Sequence, residues 1–168
     1  GPGWTVVNRG VTAFEEGGRK GARFDERPGQ GLAWLEEVRF AEGTIEFEVR
    51  GKDVPQRSFV GIAFHGADNR TFEAVYFRPF NFKNADPARV VRAVQYVCDP
   101  DFSWPKLRQE TPGRYESAVR PVPDPNGWFH ARIIVASGRV RVYVDGDPEP
   151  CLDVEKLGNL NDGMVGLF

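Results

Sequence analysis

Phe72-Glu-Ala-Val-Tyr-Phe-Arg-Pro-Phe-Asn-Phe82, a polar turn, then Val91-Arg-Ala-Val-Gln-Tyr-Val97: the reading of this stretch decides the fold. Each end is rich in β-branched and aromatic residues, which fit a pleated, half-buried surface. Both ends therefore read as strands. Apolar residues alone would make a plain core here. Aromatics mixed with an arginine, asparagine and glutamine make a surface that can also hold a polar, ring-shaped ligand.

Outward from this pair the pattern repeats. Trp4–Asn8 alternates and is followed by the turn at Gly17-Gly18. Ala22–Asp25 and Leu32–Leu35 are short strand candidates separated by Arg27-Pro-Gly-Gln-Gly31, where Pro presets φ and Gly takes positive φ. Thr44–Arg50 puts Ile45, Phe47 and Val49 on one face and Thr44, Glu46, Glu48 and Arg50 on the other. Phe59–His65 is almost wholly apolar, as in a strand covered on both faces. Trp128–Ala136 and Arg139–Asp145 form a hairpin over Ser137-Gly138. Met164–Phe168 reads as the last strand.

Two segments are less regular. In Asn84–Val94, Asp86-Pro87 has the chemistry of a helix start, but the valines favour a strand, so a turn followed by a strand is expected. From Cys98 to Gly127 periodicity fails and six of the 13 prolines occur. Its Trp104, Leu107, Tyr115 and Val119 need a surface to pack on, so it reads as a long loop folded over one sheet. Asp153–Leu160 has room for one helical turn. About ten strands with turns every 8–12 residues or so imply an all-β antiparallel sandwich or barrel.

Composition narrows the class. A chain of 168 residues with 40% hydrophobic and 27% charged residues suits one folded domain, residues 1–168. A net charge of −2 leaves no electrostatic footprint for nucleic acid. No apolar run is long enough to insert in a membrane. Cys98 and Cys151 are compatible with two buried thiols or with one disulfide. Gly1-Pro2-Gly3 reads as a cloning remnant, which leaves room for a removed export signal, and a secreted or periplasmic location is the expectation.

Glu-Phe-Glu-Val-Arg50, Val-Gly-Ile-Ala-Phe-His65 and Val-Tyr-Phe-Arg-Pro-Phe80 occur in that order. They are followed by Trp128-Phe-His-Ala-Arg132, Val-Arg-Val-Tyr-Val-Asp-Gly146 and Gly163-Met-Val-Gly-Leu-Phe168. This resembles the concanavalin A-like lectin/glucanase superfamily, in particular its laminin G-like and 3-keto-disaccharide-hydrolase (DUF1080) jelly rolls. The resemblance implies a jelly-roll sandwich with the Pro-rich loop over its concave sheet. Members continue past the final Gly-Leu-aromatic with one more strand. Its absence here implies an open edge at the C-terminus and a possible edge-strand partner.

The candidate chemistry follows. Sugars present C–H faces that stack on aromatic rings and hydroxyls that take hydrogen bonds from Arg, Asn, Gln and Glu. Tyr76, Arg78, Asn81, Gln95, Trp104, Arg108, Tyr115 and Glu116 form the candidate ligand set. Arg78 and Arg108 can equally clamp a carboxylate, which allows an acidic sugar. The competing reading makes Tyr76 and Trp104 core residues and pairs Arg78 with Glu116 structurally.

Glu46 and Glu48 lie about 7 Å apart on one strand face. The superfamily's Glu-x-Asp-x-x-Glu motif is broken here, so a solvated face is the better explanation. His65 and Glu116 are the candidates for acid or base chemistry if the chain is a glycoside-cleaving enzyme, and the alternative for His65 is a hydrogen-bonded strand end. No zinc spacing exists. Asp145, Asp147, Asn161 and Asp162 offer oxygens in turns, a weak calcium signal. Three readings stand: a carbohydrate-binding domain, a glycoside-cleaving enzyme of the 3-keto-disaccharide type, or a protein-interaction module using its edge.

Overall fold

The computed structural model describes residues 3–168; Gly1 and Pro2, part of the expected cloning remnant, lie outside them. The elements in order are β1 (Trp4–Val7), β2 (Val11–Glu16), β3 (Arg19–Phe24), β4 (Leu32–Phe40), β5 (Gly43–Val49), β6 (Val60–Gly66) and β7 (Phe72–Phe77). A 3-10 turn (Pro79–Asn81) and a short helix α1 (Pro87–Val90) lead to β8 (Val94–Asp99). Then come helix α2 (Trp104–Glu110), β9 (Glu116–Ser117), β10 (Phe129–Ala136), β11 (Arg139–Val144), β12 (Leu152–Glu155) and β13 (Gly163–Leu167).

The strands form a seven-stranded sheet in the order β1-β4-β13-β6-β7-β8-β9 and a four-stranded sheet β12-β11-β10-β5. A separate hairpin, β2-β3, is tied to the four-stranded sheet by Phe14 against Trp128 and by the Arg19–Glu48 ion pair. Every pairing is antiparallel.

Strand alternation explains the layers. In β10 and β11, Phe129, Ala131, Ile133, Val135, Val140, Val142 and Val144 are buried, while the residues between them are part-exposed. Phe77 of β7 meets Phe129 edge-on across the gap, at 5.0 Å between ring centres. Phe77 and its register partners Val94 and Val60 therefore face the opposing sheet. Tyr76, one residue earlier, faces away from it. The hairpin turn at Ser137-Gly138 has φ of 53° and 73°, which matches the twist of its strands.

Four expectations are corrected. Asp86 does cap a helix: its side chain accepts from the Ala88 N–H, Pro87 begins α1, and the strand starts only at Val94. The local capping chemistry prevailed over the β preference of Val90 and Val91. The stretch 98–127 is not one loop, since Pro105 near its start lets Trp104–Glu110 run as α2, and Glu116–Ser117 pairs with β8. Residues 152–155 form β12 beside β11 rather than a helical turn. The last strand is not an open edge. β13 lies between β4 and β6, and Phe168 exchanges both backbone hydrogen bonds with Gly61. The outermost strands of the two main sheets are β1, β9, β12 and β5 instead.

Candidate functional site

Tyr76, Gln95 and Glu116 are register partners across β7, β8 and β9, so their side chains leave the same outer face of the seven-stranded sheet. Arg78 follows β7 and turns its guanidinium over this row. It donates from Nη2 to Tyr76 Oη and to Gln95 Oε1, both at 3.2 Å, and from Nη1 to the Arg92 carbonyl at 3.2 Å. Its Nη1 also lies 3.4 Å from Glu116 Oε2. Gln95 is 1% exposed and spends its amide on the Tyr96 and Tyr115 carbonyls, so it holds Arg78 from beneath.

Helix α2 supplies the wall. Arg108 donates from Nε and Nη2 to the two Glu116 oxygens, and its guanidinium stacks 4.8 Å from the Trp104 ring centre. Trp104 is 45% exposed, so its outer face is open. Phe59, also exposed, meets Tyr76 and Phe80 edge-on. Tyr76 in turn stacks on Phe168 at 4.9 Å. Gly61 allows this, because a Cβ there would collide with Val75 and Tyr76 backbone.

A hollow of about 160 Å³ opens above this arrangement. Arg78 and Asn81 lie at its base, Trp104, Arg108 and Phe59 at its sides, and Gln56, Arg89 and Arg92 at its rim. Asn81 is buried and donates to the Arg92 carbonyl at 3.0 Å, but its Oδ1 has no partner. A buried acceptor without a donor is costly and rare in a folded protein. Burial pulls the Arg78 guanidinium below its ordinary range, with Tyr76 and Glu116 opposing. Burial likewise pushes the Tyr76 phenol up to about 12.

The structure thus brings together Tyr76, Arg78, Asn81, Gln95, Trp104, Arg108 and Glu116. Tyr115 is the exception and a correction: its ring packs on Tyr96, on the face turned toward the sandwich interior, because successive strand residues alternate. Arg78 does contact Glu116, as the structural alternative had it, yet Arg78 still lines the base of an open hollow, with Glu116 beneath it. Gln56, Phe59, Arg89 and Arg92 were missed. Arg89 and Arg92 are three apart, and reading Asp86-Pro87 as a cap would have placed both on one helical turn.

His65 lies elsewhere. It is fully buried near the C-terminal end of β6, with Nδ1 2.5 Å from Glu73 Oε2 and Nε2 2.6 Å from the Ala41 carbonyl oxygen. Glu73 also accepts from the Tyr96 hydroxyl at 2.5 Å, and Lys156 Nζ lies 3.4 Å away. This is an enclosed polar hub with no access to the hollow. Glu116 lies beneath the hollow rather than on its lining, with both oxygens engaged by Arg108. Glu46 and Glu48 stand exposed near His130 and Arg19 respectively. Asp145 accepts from the His130 N–H, Asp147 from the Glu149 N–H, and Asp162 pairs with Arg39. Among the described residues, no three His, Cys, Asp or Glu side chains gather as a metal site.

The carbohydrate-binding module CBM66 from Bacillus subtilis aligns over 99% of this chain and 86% of its own, with 17% identity and a TM-score of 0.63. A Bacillus subtilis protein of unknown function with a galectin-like fold aligns over 98% and 81%, with 14% identity and a TM-score of 0.60. The fold is a concanavalin A-like jelly roll. No family profile matches the jelly roll's sequence, and no curated protein matches it either. At these identities the likeness is one of architecture, and the function must be argued from the site.

Proposed function

We propose that this jelly roll is a carbohydrate-binding domain and that the sugar enters the hollow beside Trp104. One observation carries the reading. An open aromatic face and a set of arginine donors converge on a single small cavity. A sugar ring offers the complement: C–H faces for the ring and acceptor oxygens for the guanidiniums. At about 160 Å³ the hollow is below the ~300–1,000 Å³ of sites for drug-sized ligands, which suits one sugar ring. The fold is shared with a protein described as a carbohydrate-binding module, which agrees with the reading.

The binding is non-catalytic in this proposal, since Glu116 is held in an ion pair and His65 is enclosed. An exported location fits a glycan-binding role. Screening on a glycan array followed by calorimetry tests the proposal. A bound glycan whose affinity falls about 30-fold in Trp104→Ala, at unchanged thermal stability, is the expected result. Absence of any glycan binding, or binding indifferent to Trp104, rejects it.

A further inference from the structure

Arg78, Arg89, Arg92 and Arg108 all border the hollow, and no acidic side chain does. The carboxylate that answers them, Glu116, lies beneath and is only 6% exposed. The four guanidiniums are not equivalent. Arg78 and Arg108 spend their donors on Tyr76, Gln95, the Arg92 carbonyl and Glu116. Arg92 Nε lies 3.8 Å from Glu116 Oε1, too far for a hydrogen bond, and Arg89 Nε lies 3.9 Å from Asp86. Both rim side chains are part-exposed, and neither forks onto any carboxylate among the described residues.

Placing like charges around one small cavity is unfavourable unless something negative answers them. A planar guanidinium presents its N–H groups in a fork that matches a carboxylate. We infer that the hollow takes a carboxylate-bearing sugar, with Arg89 and Arg92 as the residues that read the carboxylate. The inference rests on the carbohydrate reading and names the class of sugar.

Each part of the site asks for something different. The rim forks ask for an anionic acceptor. Trp104 asks for an apolar face. An inorganic anion answers only the first. A neutral sugar answers only the second and leaves the rim to water. A sugar acid answers both. Glu116 has a matching role: by neutralising the base it fixes Arg78 and Arg108 in place, so that the remaining field is concentrated at the rim, where an incoming charge is still partly solvated.

The test uses the whole chain and calorimetry at low and at physiological salt. The probes are tri-galacturonate and its methyl ester, glucuronate-capped xylotriose and plain xylotriose, a sulfated trisaccharide, and a glutamate-rich peptide. At least one uronate is expected to bind about tenfold or more tighter than its uncharged counterpart, with the advantage shrinking as salt rises. In Arg89→Ala/Arg92→Ala the charged and uncharged forms should bind alike, with the unfolding midpoint unchanged because both side chains are part-exposed.

Uncharged sugars binding as tightly as the acids overturns the inference and leaves the carbohydrate reading standing. Preference for the sulfated sugar overturns the carboxylate assignment. Binding of the peptide alone, or of no probe, overturns both readings. A charge preference that survives the double substitution removes Arg89 and Arg92 from the role.

Discussion

Arg108 grips Glu116 through two parallel hydrogen bonds, Nε to Oε1 at 2.9 Å and Nη2 to Oε2 at 2.8 Å. The pair ties α2 to the edge strand β9 and holds Trp104 upright beside the hollow. Glu116 is also the anion nearest the buried Arg78. Replacing it by alanine strands one buried cation and frees another. Glu116→Ala should therefore cost about 3 kcal/mol of stability, read from urea unfolding. Glu48→Ala removes the exposed Arg19–Glu48 pair and should cost about 1 kcal/mol or less. Equal losses in the two variants would show that Glu116 is not the keystone of the cluster.

The second polar cluster should separate from the first in function. Glu73 takes contacts from His65, Tyr96 and Lys156 in a fully enclosed setting. Glu73→Ala leaves those groups without their acceptor and should cost about 3–5 kcal/mol. At a temperature where the variant is still folded, its glycan affinity should match the parent. A selective loss of affinity in a folded Glu73→Ala protein would connect the hub to the hollow and contradict the geometry.

Strand alternation made most of the architecture readable before any coordinates. Thr44–Arg50, Phe59–His65, Phe72–Arg78 and the Ser137-Gly138 hairpin all appear within a residue or two of their expected limits. The failures share a cause. Sheet order is non-local, so nothing in Met164–Phe168 itself reveals that it inserts between β4 and β6. Short helices were hidden by valines and prolines whose capping geometry outweighed propensity. At the site, residues on neighbouring strands were legible from face parity. Phe59, Arg89 and Arg92 were not, because loops and a misjudged helix place them. Tyr115 was included although its neighbour Glu116 had already claimed the outer face.

Gly61, the register partner of Tyr76, is predicted to resist replacement. A Cβ there would lie 2.1 Å from the Val75 carbonyl oxygen and 2.6 Å from Tyr76 Cα, both backbone atoms that cannot swing aside. Gly61→Ala should cost about 2 kcal/mol or more and should disturb the Tyr76–Phe168 stack, visible as a change in near-UV circular dichroism. Gly138→Ala meets no atom within 4 Å but has φ of +73°. It should cost only about 1 kcal/mol. The reverse ranking would mean that β6 and β7 can move apart freely.

Alkaline pH should weaken the jelly roll through groups buried in their neutral form. Burial pushes the Cys98 thiol up to about 12 and the Cys151 thiol up to about 11, against an ordinary value of 9.0. The Tyr76 phenol rises from 10.0 to about 12 for the same reason. In each case the folded protein keeps a proton that the unfolded chain releases first. Stability is then fully present below about pH 9 and declines as pH climbs toward 11–12, because the unfolded state binds fewer protons there. Urea midpoints measured from pH 7 to 11 should be flat to about pH 9 and fall beyond it. Both cysteines are free and buried, so a thiol reagent at pH 8 should label them slowly in the native protein and quickly in urea. Rapid native labelling, or midpoints that hold steady to pH 11, would show that Cys98, Cys151 and Tyr76 are open to water.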